Sequence, residues 1–401
     1  MSQPKTYDLV IVGGAMAGAS LALALCQLTN SANKTPKIAL VEAFEPSTKH
    51  PGFDARAIAL AAATLAQLKR WGLWSSLSSL GTPIEHIEVS DRGHAGTCRL
   101  HAEDYHQSEL GHVVELEAVG QVLHTLLSKA DVDLYCPDSV QSVDSTVDNH
   151  TLTLSSGQQL QCALLVGADG LNSVVRQSLK IPLTQKDFGQ AAVIANIRCD
   201  KPSNGWAFER FSEFGPIALL PMSDERMSLV WAMEESQQAE ILALEDDAFI
   251  ARLQQAFGYR LGNITQTGAR SGYPLKLSFI ERPIHHRCVL VGNAAQTLHP
   301  IAGQGFNLGL RDVAALVTCI DKAWQQSQDL GSVAVTHDYL QSRASDRSQT
   351  ITSIEALVRG FSNSHWPMVA GRNVALHLLN AISPLKTPIA QRAMGFHQAL
   401  D

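Results

Sequence analysis

Charge is scarce in this chain: Asp, Glu, Lys and Arg make up 17% of the residues, against about 25% in ordinary soluble proteins. That argues against disorder and points to much buried surface, or to apolar surface that meets a membrane or a partner. A basic excess is also missing. The 31 basic and 38 acidic residues leave a formal charge of −7, with no basic run or stripe, which excludes an ordinary nucleic-acid binder. Cysteine pairs are lacking too: Cys26, Cys98, Cys136, Cys162, Cys199, Cys288 and Cys319 are odd in number and contain no C-x-x-C. Scattered single thiols fit a reducing compartment better than a disulfide framework. At 401 residues the chain has room for two to three domains and needs no staple for stability.

There is no internal repeat and no low-complexity tract. From Leu9 to Asn33 no residue is charged, a length that could span a bilayer. Asp8 precedes the stretch, only Lys5 could supply a positive flank, and Gly13, Gly14 and Gly18 interrupt it. It therefore reads as a buried strand, a glycine turn and a buried helix. Nothing else resembles a membrane span, so a cytoplasmic protein is expected, with peripheral attachment to a membrane at most.

Tyr7–Val12 and Lys37–Val41 read as strands buried on both faces, with a helix over Ala17–Leu28 between them. Further helices are predicted over Ala59–Leu73 and Val119–Lys129, with a break at Gly81–Thr82–Pro83. Ala163–Gly167 and Cys288–Val291 read as two more buried strands. Between them, Ala191–Arg198, Gly215–Pro221 and Met227–Met233 alternate like strands, the last two joined by a hairpin turn at Ser223–Arg226. From Asp312 onward the pattern is helical, broken at Pro367, Pro384 and Pro388. The expected fold is mixed α/β: a nucleotide-binding domain of Rossmann type, interrupted by an antiparallel sheet and followed by a helical region.

Three blocks carry chemistry. In the first, Gly13-Gly14-Ala15-Met16-Ala17-Gly18 follows a strand and opens a helix, which lets backbone approach a pyrophosphate at a helix N-terminus. Ala15 stands where the G-x-G-x-x-G pattern has its middle glycine. Glu42, 24 residues beyond Gly18, ends the second strand, where a carboxylate accepts hydrogen bonds from ribose hydroxyls. In the second block, Leu164 to Gly170 delivers Asp169 to a tight turn, followed by Ser173 and Arg176; on its own this also suits a simple Asp-Gly turn. In the third, Val289 to Gln296 leads through His299-Pro300 to Gly303-Gln304-Gly305-Phe306-Asn307. Its helix start, near Asn307, offers free N–H groups to an anion or an electron-rich ring edge.

Together these blocks resemble the p-hydroxybenzoate-hydroxylase-like FAD monooxygenases. Asp54-Ala55-Arg56-Ala57-Ile58-Ala59-Leu60 is similar to the signature of their ubiquinone-biosynthesis branch. Ser90 to Gly96, Gly215 to Met222 and Gly292 to Thr297 resemble its octaprenyl-methoxyphenol hydroxylase group. The resemblance covers nearly the whole chain. It implies FAD held by Gly13, Gly14, Ala15, Met16, Ala17 and Gly18 at the pyrophosphate and by Glu42 at the ribose. Arg56 and Gln121 would lie on the flavin side, with Asp169 near FAD and the pyridine nucleotide. Gly292 and Asn293 would face the ribityl chain, and Pro300, Gly303, Gln304, Gly305 and Asn307 would complete the site. Asn293 replaces the family's usual Asp, and Gln296 stands where many members have His.

The implied domain plan is an FAD-binding domain in three parts, 1–82, 112–182 and 275–325. A substrate domain is formed by 83–111 and 183–274, and a helical region by 326–401. The implied reaction hydroxylates a polyprenylated methoxyphenol with NAD(P)H and O2, through a flavin C4a-hydroperoxide. A flavin reductase, a halogenase or a flavin-binding structural subunit of a quinone-biosynthesis complex are the alternatives; Trp71 and Trp74 lack the W-x-W-x-I-P of the halogenases. No residue is assigned as a catalytic base. His94, Cys98, His101, His106 and His112 crowd one region without the spacing of a zinc set, and read as substrate-domain loop residues. Val374, Leu376, Leu378 and Leu379 are spread around the helix Trp366–Ile382. They suit either packing on the body or a surface for lipid or lipid-carrying proteins. Arg359, Arg372, Lys386 and Arg392 suit anionic headgroups or a solvated rim.

Overall fold

The computed structural model describes residues 3–47, 54–223, 225–298, 304–361 and 365–396. Its first sheet is built on a parallel core in the order Cys288–Leu290, Gln159–Gly167, Lys5–Val12, Ile38–Val41, Asp133–Tyr135. The continuous apolar runs follow from burial on both faces. Leu9, Ile11, Ile38, Leu40, Leu164, Val166 and Val289 point into one core, with helices Met16–Leu25, Leu116–Leu127 and Gln304–Gln325 above it. Their neighbours Val10, Val12, Ala39, Val41, Leu165 and Leu290 point into a second core. An antiparallel ribbon, Val140–Ser145 and His150–Leu154, covers that second face.

The chain leaves Lys5–Val12 toward Ile38–Val41 on one side and returns to Gln159–Gly167 on the other. Ligands of such open sheets bind beyond the strands' carboxyl ends, where the strand order reverses. All three glycine-bearing blocks emerge at that end.

A nine-stranded, mostly antiparallel sheet stands beside this unit. Its main path runs Gln296–Thr297, Ser271–Phe279, Thr184–Cys199, Arg226–Glu234, Gly215–Pro221, Trp206–Ser212, His86–Asp91, Thr97–His101. Helices Glu235–Ala243 and Asp246–Phe257 seal one face, through Ile241, Phe249, Leu253 and Phe257. A three-stranded sheet, Ala57–Ala61, Gly111–Glu115 and Gly81–Ile84, joins the two units. Helices Gln304–Gln325, Val333–Phe361, Trp366–Ala381 and Ser383–Ala393 complete the chain.

Several sequence expectations need correction. Ala57–Ala61 is a strand, and the helix begins only at Ala62; pairing with Gly111–Glu115 overrides the helix preference of the alanines. Gly81–Thr82–Pro83 is an edge strand rather than a break, the place in a sheet where proline is tolerated. Pro388 lies inside helix Ser383–Ala393, where the Thr387 hydroxyl donates to the Ser383 carbonyl (3.0 Å). Cys98, His101 and His112 belong to strands, not loops. In the Ser223–Arg226 turn the Arg226 amide donates to the Ser223 carbonyl (3.2 Å), while Asp224 lies outside the described residues.

Candidate cofactor site

The three blocks meet at the strand tips. The Gly13 amide donates to the Val41 carbonyl (2.8 Å), the Ala168 amide to Val12 (2.7 Å) and the Val291 amide to Gly167 (2.9 Å). The ladder thus ties the four strand ends into one rim. Gly13 holds φ +101°, and a Cβ there would sit 2.5 Å from the Ala168 carbonyl oxygen and 2.8 Å from the Asp169 nitrogen. A Cβ on Gly18 would overlap the Gly13 carbonyl oxygen. These two glycines allow turn, helix and second block to touch. Gly292 holds φ +59°; a Cβ there would lie 3.3 Å from the Ala17 Cβ, so the third block closes on the first.

Helix Met16–Leu25 starts without a side-chain cap, and its first turn carries no acidic residue. Its first N–H groups therefore keep no intrahelical partner, and the positive end of the helix dipole faces outward. Ala15 sits at the N-cap with φ −68° and an exposed side chain, a backbone any residue adopts, so the missing glycine does not close the turn. Glu42 reaches across to this turn. Its Oε2 accepts from the Gly14 amide (2.5 Å) and its Oε1 from the Phe44 amide (3.0 Å).

Asp169 Oδ2 accepts from the Val174 (2.7 Å) and Val175 (3.2 Å) amides, while its buried Oδ1 has no hydrogen-bond partner among the described residues. Burial pushes its carboxyl above the usual carboxylate range, against those hydrogen bonds. An orphaned carboxylate oxygen at a junction of glycine turns fits a ligand bearing hydroxyl or N–H donors. The uncapped helix start and the Gly13/Gly18 cradle fit its phosphates. The residues present therefore suit FAD.

The remaining sequence-derived candidates are placed as follows. Arg56 is exposed, and its carbonyl accepts the Leu116 amide (2.8 Å). The Gln121 side chain donates to the Ser47 carbonyl (2.5 Å), fastening the segment after Glu42 to helix Leu116–Leu127. Asn293 is exposed on the short turn Gly292–Ala294. Asn307 is buried; its Oδ1 accepts from the Ala61 amide and the Thr64 hydroxyl (both 2.8 Å), and its Nδ2 donates to the Ala59 carbonyl (3.0 Å). That side chain anchors the helix start to the neighbouring strand. Gly305 lies in the first turn of helix Gln304–Gln325, with open space where a Cβ would be. Pro300 and Gly303 lie outside the described residues, and of Gln304 only the backbone is described.

A buried polar network behind the third block escapes sequence reasoning. Asp312, fully buried, accepts from Gln296 Nε2 (2.5 Å), Arg343 Nε (2.8 Å) and the Gly292 amide (3.3 Å). Arg347 Nε donates to Gln296 Oε1 (2.8 Å), and Arg343 also pairs with Asp346. The network fixes the Gly292 turn against helix Val333–Phe361. Among the described residues no group of three His, Cys, Asp or Glu is placed to hold a metal ion.

Residues 6–332 match the family described as FAD binding domain, and the chain belongs to that family. Together with the relatives below, this makes the chain an FAD-dependent monooxygenase, of a family in which NAD(P)H is the typical co-substrate. Along its whole length the chain is similar to the ubiquinone hydroxylase UbiL of Rhodospirillum rubrum: 35% identity, covering 98% of this chain and 91% of that protein. It is 28% identical to the human mitochondrial ubiquinone biosynthesis monooxygenase COQ6, covering 97% and 92%. The p-nitrophenol 4-monooxygenase PnpA of Pseudomonas putida shares the fold, with TM-score 0.81 at 16% identity over 99% of this chain and all of that one. Within the p-hydroxybenzoate-hydroxylase-like enzymes, the chain belongs to the ubiquinone-biosynthesis hydroxylase branch.

Proposed function

We propose that this monooxygenase hydroxylates a polyprenylated methoxyphenol in ubiquinone biosynthesis, consuming NAD(P)H and O2. The observation that carries the reading is the likeness to the ubiquinone hydroxylase, which covers 98% of this chain and so takes in both the cofactor cradle and the antiparallel sheet. When bound, FAD supplies the hydride-accepting and oxygen-activating chemistry that closed-shell phenols lack on their own. The chain's part is to hold and enclose. The amides of Met16, Ala17 and Gly18 take the pyrophosphate, with Gly13, Gly14 and Ala15 shaping the turn, and Glu42 takes the ribose. Asp169 offers its free oxygen, while Gly292 and Asn293 face the ribityl chain. Arg56 and Gln121 would flank the flavin side; the family resemblance assigns Gln304, Gly305 and Asn307 to the surroundings of the ring, together with Pro300 and Gly303, which lie outside the described residues. The antiparallel sheet, from 83–111 and 183–274, closes the substrate side and excludes water, which keeps oxygen transfer ahead of peroxide release.

A polyprenyl tail is insoluble, and the two C-terminal helices offer a surface for the lipid that holds it. Val374, Leu378, Ile382, Leu385 and Ile389 are each 40–58% exposed, and Trp366 is 78% exposed. No Asp or Glu occurs from Trp366 to Phe396. Arg372 and Lys386 do not face outward: they are buried in pairs with Asp91 (2.9 Å) and Asp104 (3.4 Å), which clamp the helices to the antiparallel sheet and leave the apolar stripe outside. Arg392 is exposed; the Arg359 side chain lies outside the described residues. No helix among the described residues is long and apolar enough to cross a membrane, so the contact proposed is with a membrane surface.

Purified protein, FAD, NAD(P)H and a short-chain prenylated methoxyphenol under air test the reaction. The expected product gains one oxygen atom by mass spectrometry. NAD(P)H oxidation that yields only hydrogen peroxide would contradict the proposal.

A further inference from the structure

The antiparallel sheet has one face sealed by its own helices and one turned toward the cofactor cradle. Along strand Trp206–Ser212 the side chains alternate between the two. Trp206 and Phe208 pack in the core beneath helix Asp246–Phe257. Ala207 joins a cluster with Ala55, Ala57 and Ala59, the residues around Arg56; Phe211 joins another with Leu298 and Leu308, which bracket the third glycine block. Glu209 lies between Ala207 and Phe211 and shares their face.

The residues level with Glu209 form a straight row. Glu209 pairs with Val89 on one side and Ala218 on the other; Ala218 pairs with Val230, and Val230 with Ile194. Across five strands the row reads Val89, Glu209, Ala218, Val230, Ile194: four aliphatic side chains and one carboxylate. Val89 packs against both clusters, so the row runs between the Arg56 segment and the third block. Val89, Glu209, Val230 and Ile194 are half-buried, whereas Ala207, Phe211 and Ala218 are sealed. Four of the row's five members thus keep some exposure, and only Ala218 is fully packed.

We propose that Glu209 is the substrate-orienting residue of this enzyme. Its carboxylate accepts a hydrogen bond from the phenolic hydroxyl, while the aliphatic members of the row support the ring. This rests on the phenol reading above. A carboxylate fits the task because it only accepts, a phenol donates, and a charge-assisted bond in an apolar setting is strong and directional. Drawing electron density from the O–H bond toward the ring also favours attack by an electrophilic oxygen.

The test compares binding of a one-isoprene prenylated methoxyphenol and its methyl ether to FAD-loaded wild type, Glu209→Ala and Glu209→Gln, read from the flavin absorbance change. Wild type should prefer the phenol about tenfold to hundredfold. Glu209→Ala should lose that preference while binding the methyl ether and FAD as wild type does, and Glu209→Gln, which still accepts, should keep part of it. Turnover of Glu209→Ala should shift from hydroxylated product toward hydrogen peroxide. An undiminished preference in Glu209→Ala, or no preference in a wild type that forms product, would overturn the proposal. A wild type that neither binds nor hydroxylates the phenol would overturn the functional reading beneath it.

Discussion

Replacing Gly18 by alanine adds one methyl group at the tightest point of the first block. Its Cβ would overlap the Gly13 carbonyl oxygen and lie 3.3 Å from the Ala168 Cβ. The overlapped atom is backbone rather than the far end of a flexible side chain, so relief requires the Gly13 turn itself to move. Two effects compete. Alanine gains about 0.8–1 kcal/mol over glycine as a helix former. Overpacking against backbone costs about 1–3 kcal/mol, and more where the backbone itself must shift. The clash wins, so a net loss of roughly 1–2 kcal/mol in apoprotein stability is expected by urea denaturation. The displaced atoms are those proposed to face the pyrophosphate, so FAD affinity in a fluorescence titration should fall at least about tenfold, or about 1.4 kcal/mol. Gly371→Ala is the control: it lies in helix Trp366–Ala381 with open space at its Cβ. It should gain up to about 1 kcal/mol and leave FAD binding unchanged. A Gly18→Ala protein that binds FAD and unfolds like wild type would refute the packing argument.

Asp169→Asn should separate stability from binding. Because burial raises the Asp169 carboxyl in the fold, folding takes up a proton there. This contribution favours the native state below the unfolded value near ~4 and is lost as pH rises through the folded value. The Asn variant should therefore be at least as stable as wild-type apoprotein at pH 7, with a flatter loss of stability above ~4, yet hold FAD more weakly; calorimetry against pH checks both. Asp312→Ala strips buried Arg343 and Gln296 of a shared partner. About 3–5 kcal/mol should be lost in urea denaturation, typical of breaking a buried ion pair. Leu378→Asp with Leu385→Asp should reduce co-sedimentation with anionic lipid vesicles at least tenfold without changing flavin content. Unchanged sedimentation would remove the C-terminal helices from the membrane account.

Much of the first sheet was legible because parallel strands buried on both faces must be apolar throughout, and Tyr7–Val12, Ala163–Gly167 and Cys288–Val291 have that character. The glycine blocks were legible for the same local reason: each ends a strand and starts a turn or helix. What escaped was set by distant partners. Ala59 and Ala61 look helical until Gly111–Glu115 pairs with their strand. The Asp312 network joins residues 16 to 51 positions apart, and nothing near Gln296 announces Arg347. Arg372 and Lys386 looked solvent-facing because Asp91 and Asp104, about 280 residues earlier, are invisible to local pattern. The Glu209 row exists only across strands, so no window of sequence displays it.

A crystal structure of the FAD complex bears most directly on the idea that three separate turns converge on a single dinucleotide. The pyrophosphate should lie on the amides of Met16–Gly18, with a ribose on Glu42 and the ring between Arg56 and the start of helix Gln304–Gln325. FAD bound away from the Gly13–Gly18 turn, or no FAD bound by folded protein at saturating concentration, would contradict it.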